Sequence, residues 1–376
     1  MNKMVRRRFT GMAVTLLVLL TVAGAPAYAR EFSAVTPGYA FEFPKDHFSH
    51  ENYRIEWWYF TGNVNSGGRK FGFELTFFRF GFNEPAVMSN PSAWAPKDLY
   101  PAHFAISDIE NKTFFYAESI RRAALGRAGA DPETRSVHNG SWEWRWGPEW
   151  ILRAGEGDHA IDLRLKPLKG VVLHGDGGYS PKGESPEEAS YYYSFTRLET
   201  AGTLRIGGRT FQVNGLSWMD HEFTSRLLNP RNQEGWDWFS IQLDNNIEIM
   251  LYLLRYRDSS KVAFGAGTLV HPDGSWTVLK RSGFEITPES FWRSDKSGGR
   301  YPVSWRIRIP DYGIDLKIKA AFSDQELITT RSTGVTYWEG SVTAVGRFQE
   351  QAVKGSGYAE MTGYAGAMKM GLGQEP

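Results

Sequence analysis

"WWYFTGNVNSGGRKFGFELTFFRF" (residues 57–80) and "WDWFSIQLDNNIEIMLYLLRY" (residues 236–256) follow one plan. Each opens Trp-x-aromatic-Phe-(Ser/Thr), passes through a short Gly- or Asn-containing connection, and ends in an alternating run closed by Arg-aromatic. In the first run Phe71, Phe73, Leu75 and Phe77 recur every second residue; in the second Ile247, Ile249, Leu251 and Leu253 do so. A period of two puts those side chains on one face of a strand. "YPVSWRIRIPDYGIDLKIKAAF" (301–322) reads as two more strands about the turn "PDYG". Helical periodicity is scarce outside the N-terminal leader. The chain is therefore expected to be all-β, and the internal repeat predicts two tandem domains of similar plan. Their expected bounds are 38–198 and 199–370, with the join following the turn-rich "GDGGYSPKGESPEEAS" (175–190).

The length of 376 residues suits two domains. Its 43 basic and 42 acidic residues nearly balance, which argues against nucleic-acid binding. Aromatic residues make up 15% of the chain, enough to line an apolar cavity as well as fill cores. Residues 1–29 have the tripartite form of an export signal: a basic start, the apolar "GMAVTLLVLLTVAGA", and "AYA" before Arg30. Cleavage after Ala29 is expected, placing the mature protein in the periplasm or medium without a membrane span. "RRRF" (6–9) leaves the general secretory and twin-arginine routes both open. There is no cysteine, so neither a disulfide nor a thiol nucleophile contributes.

"NGLSWMDHEF" (214–223) is too polar for a core strand and too aromatic for a loop. As a strand it turns Trp218, Asp220 and Glu222 one way, and Ser217, Met219, His221 and Phe223 the other. Elsewhere Trp236, Trp238, Ser240 and Gln242 share a face. So do Tyr337 and Glu339, and so do Tyr358, Glu360, Thr362 and Tyr364. Four faces mixing aromatics with carboxylates or amides fit an apolar cavity in the second half of the chain; strands half-exposed to water are the alternative. "RIEWWYFTGNV" (54–64) reads as structural, although Glu56, Trp58 and Phe60 on one face leave a second pocket open. Metal binding would have to use His221 with Asp220 and Glu222, or His47 with His50; neither has ligand spacing, so neither metal nor cofactor is expected. A nucleophile elbow and a phosphate loop are absent.

"IEWWYFTGNV", "ASYYYSFTRL", "VNGLSWMDHEF", "GWDWFSIQLD", "YWEGSV" and "GYAEMTGY" together resemble the carotenoid 1,2-hydratase (hydroxyneurosporene synthase) superfamily, and within it the exported AttH-like branch, from about residue 38 to 366. The resemblance implies two lipocalin-like β-barrels and hydration of an isoprenoid double bond. It also implies an acid site falling on Trp218 and Asp220; the hydratases have Tyr where Trp218 stands. Protonating an isolated alkene needs a neutral carboxylic acid, which burial supplies by raising its pKa. Aromatic faces such as Trp218, Trp236 and Trp238 would stabilise the cation. Asp220 is the expected acid, with Glu222, Glu339 or Glu360 as its partner, His221 nearby, and Gln242 or a carboxylate holding the water. The rival expectation is a carrier of a hydrophobic small molecule, working with an ABC transporter.

Overall fold

The computed structural model describes residues 31–366, apart from Ala93, Trp94, Pro96, Leu227 and Pro230, together with Met368. The leader expected at 1–29 lies outside the described residues, as does the very end of the expected second domain. The described chain is all-β. It holds 23 strands, one single-turn helix at Pro85–Met88 and three short 3-10 turns. Among the described residues no helix is long and apolar enough to cross a membrane.

Thirteen strands form one antiparallel, nearly closed barrel-like sheet and ten form a second, half-barrel sheet. The two repeats quoted above are the opening hairpins of the two sheets. In the first sheet the opening strand Ile55–Ser66 pairs with the last strand, Arg209–Thr224. In the second, Gln233–Leu243 pairs with the last strand, Gln351–Thr362. Each sheet thus joins its beginning to its end, the arrangement that curls a sheet and removes an open edge there.

Strand pairing moves the expected boundary between the halves. Residues 198 and 199 fall inside the 18-residue strand Ala189–Ile206, which pairs with Arg209–Thr224 along its length. The change of sheet lies instead between Thr224 and Gln233. The turn-rich 175–190 stretch misled because its short strands fold back onto Ala189–Ile206 within the first sheet.

Where the sheets meet, their strands are buried on two faces, as at Ile55–Ser66 and Gln233–Leu243, which explains the dense aromatics there. Inside the first barrel, Trp58, Phe60, Trp144, Tyr193 and Met219 form one core; Phe239, Ile249, Leu251, Trp305 and Trp338 fill the second. The opposite faces meet each other across the molecule and share a third apolar cluster containing Tyr59, Tyr192, Trp218, Trp238 and Tyr252. Close approach there requires Gly72, where an added Cβ would lie 2.5 Å from the Tyr358 hydroxyl. Asn63 ties the sheets further, donating to the Gly357 carbonyl at 3.1 Å and accepting from Ser341 at 2.5 Å.

Candidate active site

The cleft lies between the two sheets and opens to solvent, with about 760 Å³ of space between its walls and in its mouth. Its walls follow from strand register, because directly opposed residues on neighbouring strands share a face. On the first sheet, Thr76, Tyr59, Asp220 and Ser194 stand in one line across four strands. Phe78, Trp57, Glu222 and Tyr192 form the adjoining line. On the second sheet Tyr252, Trp238, Glu360 and Glu339 make the facing line. Trp236, Leu254 and Tyr337 complete that wall.

Asp220 is buried, and its Oδ1 accepts hydrogen bonds from the Trp218 indole at 2.6 Å and from the Ser194 hydroxyl. Burial pushes its carboxyl from 3.8 up to about 7; the donors Ser194, Trp218 and Tyr192 oppose that rise and the charge of Glu222 adds to it. Glu360 accepts from the Trp236 indole at 2.8 Å and is likewise raised by burial to about 7, with Asp220 and Glu222 adding repulsion. Glu339 takes the Tyr59 hydroxyl at 2.7 Å, while its second oxygen has no hydrogen-bond partner. Burial, then the charges of Glu360 and Glu74, holds it well above the usual carboxylate range. These groups can hold protons at neutral pH inside an aromatic cavity. The cleft's cation is Lys182, paired with Glu222 at 2.9 Å and lying 4.2 Å from the Tyr252 ring centre. Burial alone would lower the Lys182 pKa, but Glu222, Tyr252 and Asp220 together outweigh it and keep the ammonium charged.

The structure brings together Asp220, Glu222, Trp236, Trp238, Tyr337, Glu339 and Glu360, with Trp218 directly behind Asp220. Because residues 218–222 belong to the first sheet, the cavity is not confined to the second half; both sheets build it. Three expected residues lie elsewhere. His221 points into the first barrel, as its parity opposite Asp220 requires. There its ring nitrogens meet the Tyr193 hydroxyl and Glu56 at 2.8 Å each. Gln242 is a stitch between sheets, donating to the carbonyls of Thr196 at 2.7 Å and Ser217 at 3.0 Å. Tyr364 turns to Asp237 at 3.2 Å and covers the Arg255 guanidinium.

His50, Glu56 and His221 are a cluster with metal-ligating atoms within 4.8 Å of one another. Both oxygens of Glu56 are already used. One meets His50 and His221, and the other takes the His50 amide and the Arg79 guanidinium, each at 2.9 Å. Burial would raise Glu56, but those partners hold it well below its ordinary value. The cluster is a closed ion network at the end of the barrel core.

Trp57, Tyr59, Tyr192, Tyr252 and Lys182 also line the cleft and were not among the expected site residues. Parity within "EWWYFT" and "YYYSF" offers Trp57 with Tyr59, and Tyr192 with Ser194, as alternative faces. Lys182 stands in a Gly/Pro/Ser-rich stretch, where no pattern marks it.

The AttH-like family model matches residues 34–364, nearly the whole described chain. The chain belongs to the AttH-like family. This AttH-like protein is similar in structure to an AttH from Nitrosomonas europaea, with 33% identity and a TM-score of 0.79 over 89% of this chain and 100% of that one. It also shares its fold with kievitone hydratase from Nectria haematococca, at 16% identity and a TM-score of 0.64, covering 90% and 98% of the two chains. In sequence it is 24% identical over 209 residues to the dehydratase asqC of Emericella nidulans. That match takes in 54% of this AttH-like chain and 57% of the dehydratase, so it spans little more than half of either.

Proposed function

We propose that this protein is an exported hydro-lyase that adds water to, or removes it from, a carbon–carbon bond of an apolar, isoprenoid-like molecule held in the cleft. The observation that carries this reading is Asp220, a buried carboxyl held near pKa 7 and facing Glu360 and Glu339 across an aromatic cavity. In the hydration direction Asp220 gives its proton to one alkene carbon and becomes a carboxylate. The positive charge on the other carbon is stabilised by the faces of Trp57, Trp236 and Trp238. Water attacks that carbon, and ionised Glu360 takes the released proton. Dehydration runs the same steps backward. Acid catalysis of this kind supplies about 10²–10⁴-fold; the aromatic walls supply the remainder by stabilising charge where it develops. The names of the hydratase and dehydratase relatives support the reaction class, and the leader ending "AYA" supports export.

The test is turnover of acyclic isoprenoid alkenes and alcohols by the wild type and Asp220→Asn. Loss of about 10²-fold or more in the variant, with ligand affinity little changed, is the expected result. Retention of such ligands by the wild type with no turnover would make the protein a carrier, with an ABC transporter as the partner to seek. Undiminished turnover in the variant would remove Asp220 from the chemistry.

A further inference from the structure

The line of cleft residues on the first sheet extends beyond Thr76. His103 is the register partner of Thr76, and Glu118 that of His103 on the edge strand Thr113–Arg122. Glu118, His103, Thr76, Tyr59, Asp220 and Ser194 therefore form a polar row across six strands, from the sheet edge to the acid. From His103 to Ser194 the row is buried, and packing alone gives no reason to keep it, since each buried polar group must be bonded or costs free energy.

The bonds at its outer end form one ordered chain. The Ser332 hydroxyl lies 2.6 Å from Glu118 Oε2, His103 Nε2 is 3.0 Å from Ser332 Oγ, and the Tyr337 hydroxyl is 2.7 Å from His103 Nδ1. Glu118 also accepts from Arg331, whose side chain is 81% exposed. A carboxylate can only accept, so Ser332 donates to Glu118. Ser332 must then accept from His103 Nε2–H, which leaves Nδ1 bare to accept the Tyr337 hydroxyl. Every proton in the chain points from the cleft toward the surface. His103 is kept neutral by burial, which lowers its pKa to about 3 against a smaller opposing pull from Glu118. A proton arriving at Nδ1 would therefore have to displace the one on Nε2, since the ring is bonded at both nitrogens and holds no resting imidazolium.

We propose that Tyr337, His103, Ser332 and Glu118 form a proton path between the cleft and solvent, a role that rests on the acid–base reading of the cleft. After one hydration Asp220 is ionised and its partner carboxyl holds an extra proton. An outward transfer, carried by solvent water in the cleft that Tyr337 lines with Glu339 and Glu360, puts a proton on Tyr337, moves the phenol proton to His103 Nδ1, the Nε2 proton to Ser332, and the Ser332 proton to Glu118. The chain now points inward and can return a proton to the cleft along the same bonds. Each outward passage thus primes an inward one, which the reset requires.

The decisive variant is His103→Gln. Glutamine can accept from Tyr337 and donate to Ser332, preserving both bonds, but it cannot exchange a proton between its ends. The Trp236 indole, bonded to Glu360, supplies a reporter: after a photoacid pulse near neutral pH, indole emission follows Glu360 taking up its proton. The part of the signal missing in Glu360→Gln identifies that event. His103→Gln and Glu118→Gln should each slow it ~10-fold or more, at unchanged amplitude. If His103→Gln does not fold, Ser332→Ala carries the same expectation. Relaxation at the wild-type rate in these variants would overturn the path. The measurement needs no substrate, so failure of the wild type to turn over isoprenoids would count against the hydro-lyase reading alone.

Discussion

Replacing Asp220 by Asn should remove a pH dependence of stability, and the size follows from the burial of that carboxyl. The amide oxygen keeps the volume and can still accept from Trp218 and Ser194. What the variant loses is the proton. In the folded protein Asp220 titrates near 7 rather than 3.8, a difference of roughly three decades in proton affinity, worth about 4 kcal/mol. A carboxyl raised on folding contributes its full stability below its unfolded pKa. Between the two values the folded form keeps a proton that the unfolded chain has released. Wild-type stability should therefore fall by about 1.4 kcal/mol per pH unit from about pH 4 to about pH 7, then level. Asp220→Asn lacks this contribution, although Glu339 and Glu360 still titrate in both proteins and lose only the repulsion of Asp220. Denaturant midpoints measured across that range should diverge, with the variant gaining on the wild type by about 4 kcal/mol at the alkaline end. Parallel curves for the two proteins would show that Asp220 titrates as an ordinary carboxylate, and the acid assignment would fall with it.

Turnover should peak near pH 7 and decline on both sides, because Asp220 must hold its proton while Glu360 must have lost one, and both titrate near 7. A rate that rises monotonically with pH would contradict the pairing. Lys182→Met should cost about 3–5 kcal/mol in denaturant stability by leaving Glu222 buried without its ion-pair partner. The double variant Lys182→Met/Glu222→Leu should recover most of that; equal losses in both would refute the pairing as the cause.

The sequence showed most where one face of a strand alternates cleanly. The hairpins at 57–80 and 236–256 displayed the duplicated plan, and parity placed Asp220, Trp236, Trp238, Glu339 and Glu360 on faces that do meet. Parity also separated His221 from Asp220, and the structure follows parity rather than the adjacency of the two in "DHEF". What stayed hidden was long-range. Which sheet owns residues 209–224 depends on pairing with Ile55–Ser66, more than 140 positions earlier. That pairing supplies Tyr59 and Trp57 to the cleft. Nor could local pattern reveal that Gln242 bonds two carbonyls of the other sheet, since a buried amide and a ligand-facing amide look alike in sequence. His103 and Glu118, in "AHFAIS" and "FYAESI", carry no local pattern that marks them, and only register aligns them with Asp220.

Each sheet fastens its own first strand to its own last, and among the described residues the one covalent crossing from sheet to sheet falls between Thr224 and Gln233. The chain could therefore be severed there without opening a strand pair within either sheet. Two separately produced fragments would each carry one wall, with Asp220 on one and Glu360 on the other, and neither would hold an acid facing a base. If the proposed hydro-lyase activity holds, reassociation of the fragments would be reported by the reappearance of turnover, as in a split-enzyme sensor.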